Sequence, residues 1–280
     1  MGLRKRGGLR SNRDGDDGWS GGVHPICFHI GAKAIYWYGV LGALAFLAAS
    51  AHWSLLARWK GWSPSRGSDL AIWLVLGGLL GARLNYVAAN LQYYLEDPWE
   101  MLRIDHGGLI FYGGIVGGFV MVLILSRRWQ MPVLELTDFT LTGLPLAHAI
   151  GRIGCFLNGC CYGSVARLPW AIWMQGAYRH PTQLYESLAN IMIYLLLLRL
   201  YLRRPSRGLP TAAYLLAYPP IRFLLEFIRG DERMRAGPLT VAQWISLFLV
   251  ASGLVVLFRV WRRSGSDSVK AAESPAESRR

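Results

Sequence analysis

The chain has 280 residues, 53% of them hydrophobic and only 17% charged, with a mean hydropathy of +0.27 and a formal net charge of +13. That balance favours a membrane protein over a soluble globular one. The positive charges fall between apolar runs rather than along a basic face interleaved with aromatics, which argues against a nucleic-acid surface, and four cysteines, three of them within residues 155–161, do not make a disulfide framework.

The opening stretch MGLRKRGGLRSNRDGDDGWSGG is basic, then acidic, and rich in Gly and Ser, so a flexible tail is expected over 1–32. No apolar segment follows Met1, and no cleavable signal peptide is expected. Seven apolar runs come next, over 34–56, 69–91, 108–126, 137–154, 184–201, 210–228 and 240–261. Each reaches or nearly reaches the ~20 residues that a hydrocarbon core demands. The expected fold is an all-α integral membrane protein, with about seven transmembrane helices around a polar, lipid-accessible cavity over 33–263 and a disordered cytoplasmic tail over 264–280. Trp37, Tyr38, Tyr93, Tyr94, Tyr201 and Trp261 sit at run ends, where amphipathic rings meet the membrane interface.

Runs four and six are the weakest spans, because they hold charged residues together with Pro145, Pro219 and Pro220. Such breaks persist where neighbouring protein or a wet cavity satisfies the freed backbone, which marks these two runs as site-builders. The loops after runs one, three and five carry Arg58, Lys60, Arg66, Arg127, Arg128, Arg199, Arg203, Arg204 and Arg207, and the segment after run seven carries Arg259, Arg262 and Arg263. Those loops belong inside, which places the N-terminus outside and the C-terminus in the cytoplasm, although the basic Arg4 to Arg13 stretch pulls the other way.

Several polar groups then come to the outer ends of the spans. An ionisable side chain at membrane depth costs about 2.5 to 3.5 kcal/mol on insertion scales, so each invites a functional reading. Arg222 and Glu226 are spaced i, i+4 on one helix face, with Arg229 almost two turns from Arg222. A structural ion pair and a site role both fit them. The same two readings apply to Glu186 and Arg179 around His180, and His180-Pro181-Thr182 also reads as helix punctuation. In HGGLIFYGGIVGG, Gly113, Gly114, Gly117 and Gly118 suit close helix packing, whereas Gly107 and Gly108 suit backbone approach to a headgroup, with His106 and Tyr112 as the titratable donors. In HAIGRIGCFLNGCCYG, Cys155, Cys160, Cys161 and His148 supply enough ligands for a metal. The adjacent Cys160-Cys161 pair offers poor tetrahedral geometry, so no metal is expected, nor any diffusible cofactor. The planar guanidinium of Arg152, near Asn158, suits a phosphate.

HGGLIFYGG, GRIGCFLNGCCYG, RHPTQLYES and RFLLEFIRGD, in this order between apolar runs, resemble the prolipoprotein diacylglyceryl transferase family over residues 30 to 260. The resemblance implies a multi-pass enzyme of the bacterial inner membrane. Its substrates would be phosphatidylglycerol and a preprolipoprotein signal peptide carrying a lipobox cysteine, and its products a thioether-linked diacylglyceryl cysteine and glycerol phosphate. It also implies that Arg152 binds the lipid headgroup, that Asn158 and Gly163 belong to the signature, and that Arg222 acts on the phosphate with Glu226 beside it. Tyr38, Arg83, His180 and Glu186 match further functional positions. Many members carry histidine where Tyr112 stands, asparagine at Cys155 and glutamate at Cys160. The expected roles are therefore catalytic for Arg222, Glu226, Tyr112, His106, His180 and Tyr38, and substrate-binding for Arg152, Asn158, Gly163, Gly107, Gly108, Arg83, Glu186 and Arg229, with Cys155, Cys160 and Cys161 as bystanders. The competing expectations are a paralogue serving another acceptor and an anionic-lipid binder or transporter without chemistry.

Overall fold

The computed structural model describes residues 25–103, 107–203 and 206–273. The expected terminal tails lie outside the described residues up to 24 and from 274; strand begins at Ile26 and the last helix runs to Glu273, so regular structure enters both segments. Among the described residues, seven α-helices of at least 17 residues coincide with the seven apolar runs: α1 (Trp37–Trp59), α2 (Ser65–Ala89), α4 (Phe111–Arg128), α5 (Val133–Leu157), α6 (Thr182–Leu202), α7 (Leu209–Leu225) and α8 (Val241–Glu273). A short α3 (Leu91–Glu96) and a 3-10 turn at Pro98–Leu102 fill the loop after α2. Five helices, α1, α2, α4, α6 and α8, are long and apolar enough to cross a membrane. Their outer faces present Leu44, Leu47, Leu55, Phe119, Leu195 and Phe248, as expected where lipid replaces protein packing. The other two long helices are those interrupted by Pro145 and by Pro219 and Pro220.

The antiparallel order gives the bundle two different ends. Lys60, just past α1, meets Glu135 at the start of α5 at 3.5 Å, and Arg207 meets the same carboxylate at 3.1 Å. At that end Asp138 of α5 accepts the backbone N–H of Gly208 at 2.6 Å and that of Thr211 at 2.9 Å, together with the Thr211 hydroxyl at 2.6 Å. The carboxylate thereby satisfies donors that the first turn of α7 leaves unpaired. Connections there are short. The other end carries the long loops and three small hairpins that the apolar periodicity does not reveal: β1 (Ile26–Ile30) with β2 (Lys33–Tyr36), β3 (Ile172–Met174) with β4 (Ala177–Arg179), and β5 (Arg235–Ala236) with β6 (Leu239–Thr240). Each is too short for a periodic signal, and turn chemistry alone marks them. Gln175 and Gly176, both at positive φ, turn β3 into β4.

Two packing devices hold the bundle. The core between α1, α2, α4, α5 and α6 is built from Trp53, Leu70, Leu125, Leu136, Phe139 and Tyr201. Around Pro145, neighbouring side chains bond to α5: the Trp53 indole N–H donates to the Thr140 carbonyl at 3.2 Å, His52 Nε2 lies 2.9 Å from the Thr142 hydroxyl, and the Ser187 hydroxyl donates to the Ala149 carbonyl at 2.9 Å. This is the means by which a broken span is tolerated. The second device is a glycine seam between α2 and α4. A Cβ at Gly117 would strike the carbonyl of Gly77, and one at Gly113 that of Gly81. Gly114 is looser, and Gly118 has open space, so it stands outside the seam the sequence assigned it to. Gly117→Ala should destabilise the protein by about 1 to 3 kcal/mol, the usual cost of overpacking. Gly118→Ala should be nearly neutral. Thermal unfolding midpoints of the two variants in detergent check this.

Candidate active site

The hairpin-bearing end gathers charge from four helices. On α5, the i, i+4 spacing of His148 and Arg152 puts both on one face, and Arg152 Nε lies 3.2 Å from His148 Nε2. Arg152 grips Glu186 of α6 with two prongs, Nε to Oε2 at 3.0 Å and Nη2 to Oε1 at 3.1 Å. Glu186 is 1% exposed; it also accepts the Tyr218 hydroxyl of α7 at 2.8 Å and lies 3.5 Å from His148. A carboxylate this deeply buried needs such a shell of donors. One turn beyond Tyr218, Arg222 acts electrostatically on both Glu186 and His148. Arg222 Nη2 is 2.7 Å from Glu226 Oε2, on the 3-10 turn Glu226–Ile228 that ends α7. Tyr112, at the start of α4, feels both Arg222 and Glu226.

The pairing of Arg222 is incomplete. Its Nη1 and the Oε1 of Glu226 are buried without a hydrogen-bond partner. Buried polar atoms are nearly always satisfied, so orphaned atoms here point to a ligand.

A second group lies where α5 ends. Asn158 caps the helix with its backbone N–H on the Gly154 carbonyl at 2.9 Å. The following segment is laced between two others: Gly163 N–H donates to the His180 carbonyl at 3.0 Å, Ser164 N–H to Ile228 at 2.8 Å, and Gly230 N–H to Tyr162 at 3.0 Å, with Gly163 and Arg229 bridged as in a sheet. A side chain at Gly163 would collide with His180, so the absence of one lets the three segments cross here. The Arg229 side chain is held on Asp231 by two bonds, at 2.8 and 2.7 Å. His180 Nδ1 lies 3.4 Å from the Tyr185 hydroxyl.

The sulfurs of Cys155, Cys160 and Cys161 all lie within 4.8 Å of one another. The Cys160 thiol donates to the Cys155 carbonyl at 3.6 Å. Tyr38, half-exposed at the start of α1, stands beside this group and Arg152.

Arg83 departs from the sequence expectation. It is 5% exposed, and its fork is spent on backbone carbonyls: Met101 at 3.0 Å, Gly107 at 2.6 Å, Gly108 at 3.1 Å, Glu100 at 2.5 Å and Arg103 at 3.0 Å. Gly107 and Gly108, at φ 81° and 76°, present those carbonyls in a conformation that favours glycine. These three residues thus shape the loop before α4. His106, the second expected base, lies outside the described residues. Sequence reasoning missed Tyr218 and the site role of His148; the i, i+4 spacing of His148 and Arg152, and a tyrosine immediately before Pro219-Pro220, were the available signals.

Apolar helices around a buried arginine and glutamate cluster define a multi-pass membrane protein with its buried charges gathered at one end of the bundle. The family model described as prolipoprotein diacylglyceryl transferase matches residues 25–259. Proteins named phosphatidylglycerol--prolipoprotein diacylglyceryl transferase are similar along most of their length: that of Synechococcus elongatus is 38% identical over 268 residues (89% of this chain, 92% of that protein), that of Acaryochloris marina 35% over 262 (89% and 95%), and that of Clostridium tetani 31% over 241 (84% and 96%). The chain belongs to the prolipoprotein diacylglyceryl transferase family.

Proposed function

We propose that the chain crosses a bacterial inner membrane seven times, with its N-terminus outside, and works at the outer end of its bundle. It is a transferase that moves the diacylglyceryl group of phosphatidylglycerol to a prolipoprotein. The acceptor is the lipobox cysteine of the signal peptide, and the products are a thioether and glycerol phosphate. The orientation rests on Lys60, Arg66, Arg127, Arg128, Arg203 and Arg207, which flank the bundle end opposite the charged cluster.

The observation that carries the mechanism is the unpartnered, buried Nη1 of Arg222. A thiolate displacing phosphate from a glyceryl carbon builds charge on the departing phosphate, and a preorganised guanidinium N–H at that oxygen stabilises it. Glu226 orients Arg222 through the 2.7 Å contact. Arg152, held by Glu186, positions the headgroup, and Tyr218 and His148 hold Glu186 in place. Tyr112, in the field of both Arg222 and Glu226, relays a proton, with His180 near the loop crossing.

The test is the purified protein with phosphatidylglycerol vesicles and a lipobox peptide. The peptide should gain one diacylglyceryl mass for each glycerol phosphate released. Lipid binding without either product would sink the transferase reading in favour of a lipid binder.

A further inference from the structure

The three thiols beside Arg152 have no task in the mechanism above, yet their placement is specified in detail. Cys155 lies in the last turn of α5; Gly159 at φ 67° and Cys161 at φ 62° then reverse the chain, so that two adjacent cysteines return their sulfurs to the first. A non-glycine residue in this left-handed region costs of order 1 to 3 kcal/mol and persists where the surroundings impose it. Here the surroundings are two fully buried side chains of α6: Gln183 Nε2 donates to the Cys160 carbonyl at 2.6 Å, and the Thr182 hydroxyl donates to the Cys161 carbonyl at 2.9 Å. This reversal is also what lets neighbouring cysteines escape the poor geometry their adjacency suggests. All three are free and partly exposed.

We propose that Cys155, Cys160 and Cys161 form a three-thiolate site for a thiophilic divalent metal of the zinc class, whose fourth position takes the thiol of the substrate cysteine. Metal-bound thiolates at Zn–S distances of about 2.3 Å sit about 3.8 Å apart, a spacing that the cluster's 4.8 Å limit admits. Among the described residues the group closes at three, and three protein ligands with one open position is the pattern of catalytic rather than structural zinc. Three thiolates around a divalent ion leave one net negative charge, and Arg152 and Arg229 both act electrostatically on Cys161 to balance it.

The step rests on the transferase reading. The substrate thiol gives its proton to water as it coordinates. Its sulfur then forms the C–S bond to the glyceryl carbon, the C–O bond to phosphate breaks, and the electron pair stays on the phosphate oxygen. The metal is neither oxidised nor reduced. Coordination supplies the thiolate directly, which leaves Tyr112 no part in deprotonating the substrate thiol.

The experiment takes the full chain in detergent, purified without chelator, and measures its metal by mass spectrometry. About one zinc per chain is expected in the wild type and in Cys27→Ser, and less than about a tenth in Cys155→Ser, Cys160→Ser and Cys161→Ser. Elution of each variant as a single species separates metal loss from unfolding. Independently of any variant, cobalt exchanged into the wild type should show thiolate-to-cobalt charge transfer, and a lipobox peptide, but not its Cys→Ser form, should shift those bands. A wild type that takes up no zinc or cobalt, or whose three cysteines map to a disulfide, overturns the site. Cobalt bands insensitive to the peptide overturn the fourth-position assignment. Metal content and spectra need no turnover, so failure of the transfer reaction itself would register separately.

Discussion

Arg152→Ala should lower diacylglyceryl transfer by at least about 10²-fold and destabilise the protein by about 3 to 5 kcal/mol. The two losses have different causes. Stability falls because Glu186, 1% exposed, is left with only Tyr218 and His148 for a full negative charge. Activity falls because the proposed headgroup site loses the cation that Glu186 holds in place. They separate in a double variant: Arg152→Gln with Glu186→Gln removes both charges together and should recover most of the stability, while transfer stays at the level of Arg152→Ala. Arg152→Lys keeps a charge but not the two-pronged grip, and should recover under a tenth of wild-type transfer. Unfolding midpoints in detergent and the peptide mass assay read the two quantities. A double variant that transfers like wild type would remove Arg152 from the site.

Arg222→Ala should reduce kcat by about 10² to 10³, with a much smaller change in KM, because a donor that meets charge developing on the leaving phosphate acts mainly in the transition state. Nη1 is unpartnered while Nη2 is committed to Glu226, so the substitution removes the free donor and leaves a carboxylate with two unsatisfied oxygens. Glu226→Gln keeps the shape of the contact and removes its charge; a loss of about tenfold in kcat is expected if orientation is its role. Single-turnover rates with saturating lipid would check both. A purely structural ion pair predicts the reverse, with unfolding midpoints falling and the kcat of the folded fraction unchanged.

Much of this arrangement is legible from residue order. Apolar length located all seven long helices among the described residues, five of which are long and apolar enough to cross a membrane. The charges and prolines that weakened runs four and six identified α5 and α7, which carry His148, Arg152, Tyr218 and Arg222. Less legible was how each cationic fork is used. Arg83 and Arg152 look alike in sequence, each in a glycine-rich apolar run, yet one donates to the carbonyls of a loop and the other to a carboxylate on a different helix. That choice depends on which elements meet, and no local spacing encodes it. The same holds for Glu186, whose three partners come from α5 and α7, and for the convergence of the cysteines, which depends on a left-handed residue that sequence does not announce.

The carboxylate of Asp138 ties α5 to the first turn of α7 at the end of the bundle away from the chemistry. From that tie both helices run in the same direction, reaching Arg152 after about four turns and Arg222 after about three. The two guanidiniums therefore hang from one origin, like marks on a pair of rulers pinned at zero. Their separation is a property of helix lengths and proline bends, and the loops around the substrate need not set it. Since a misplacement of about 1 Å can cost 10²-fold in rate, the gap between the two guanidiniums is gauged from the opposite end of the bundle.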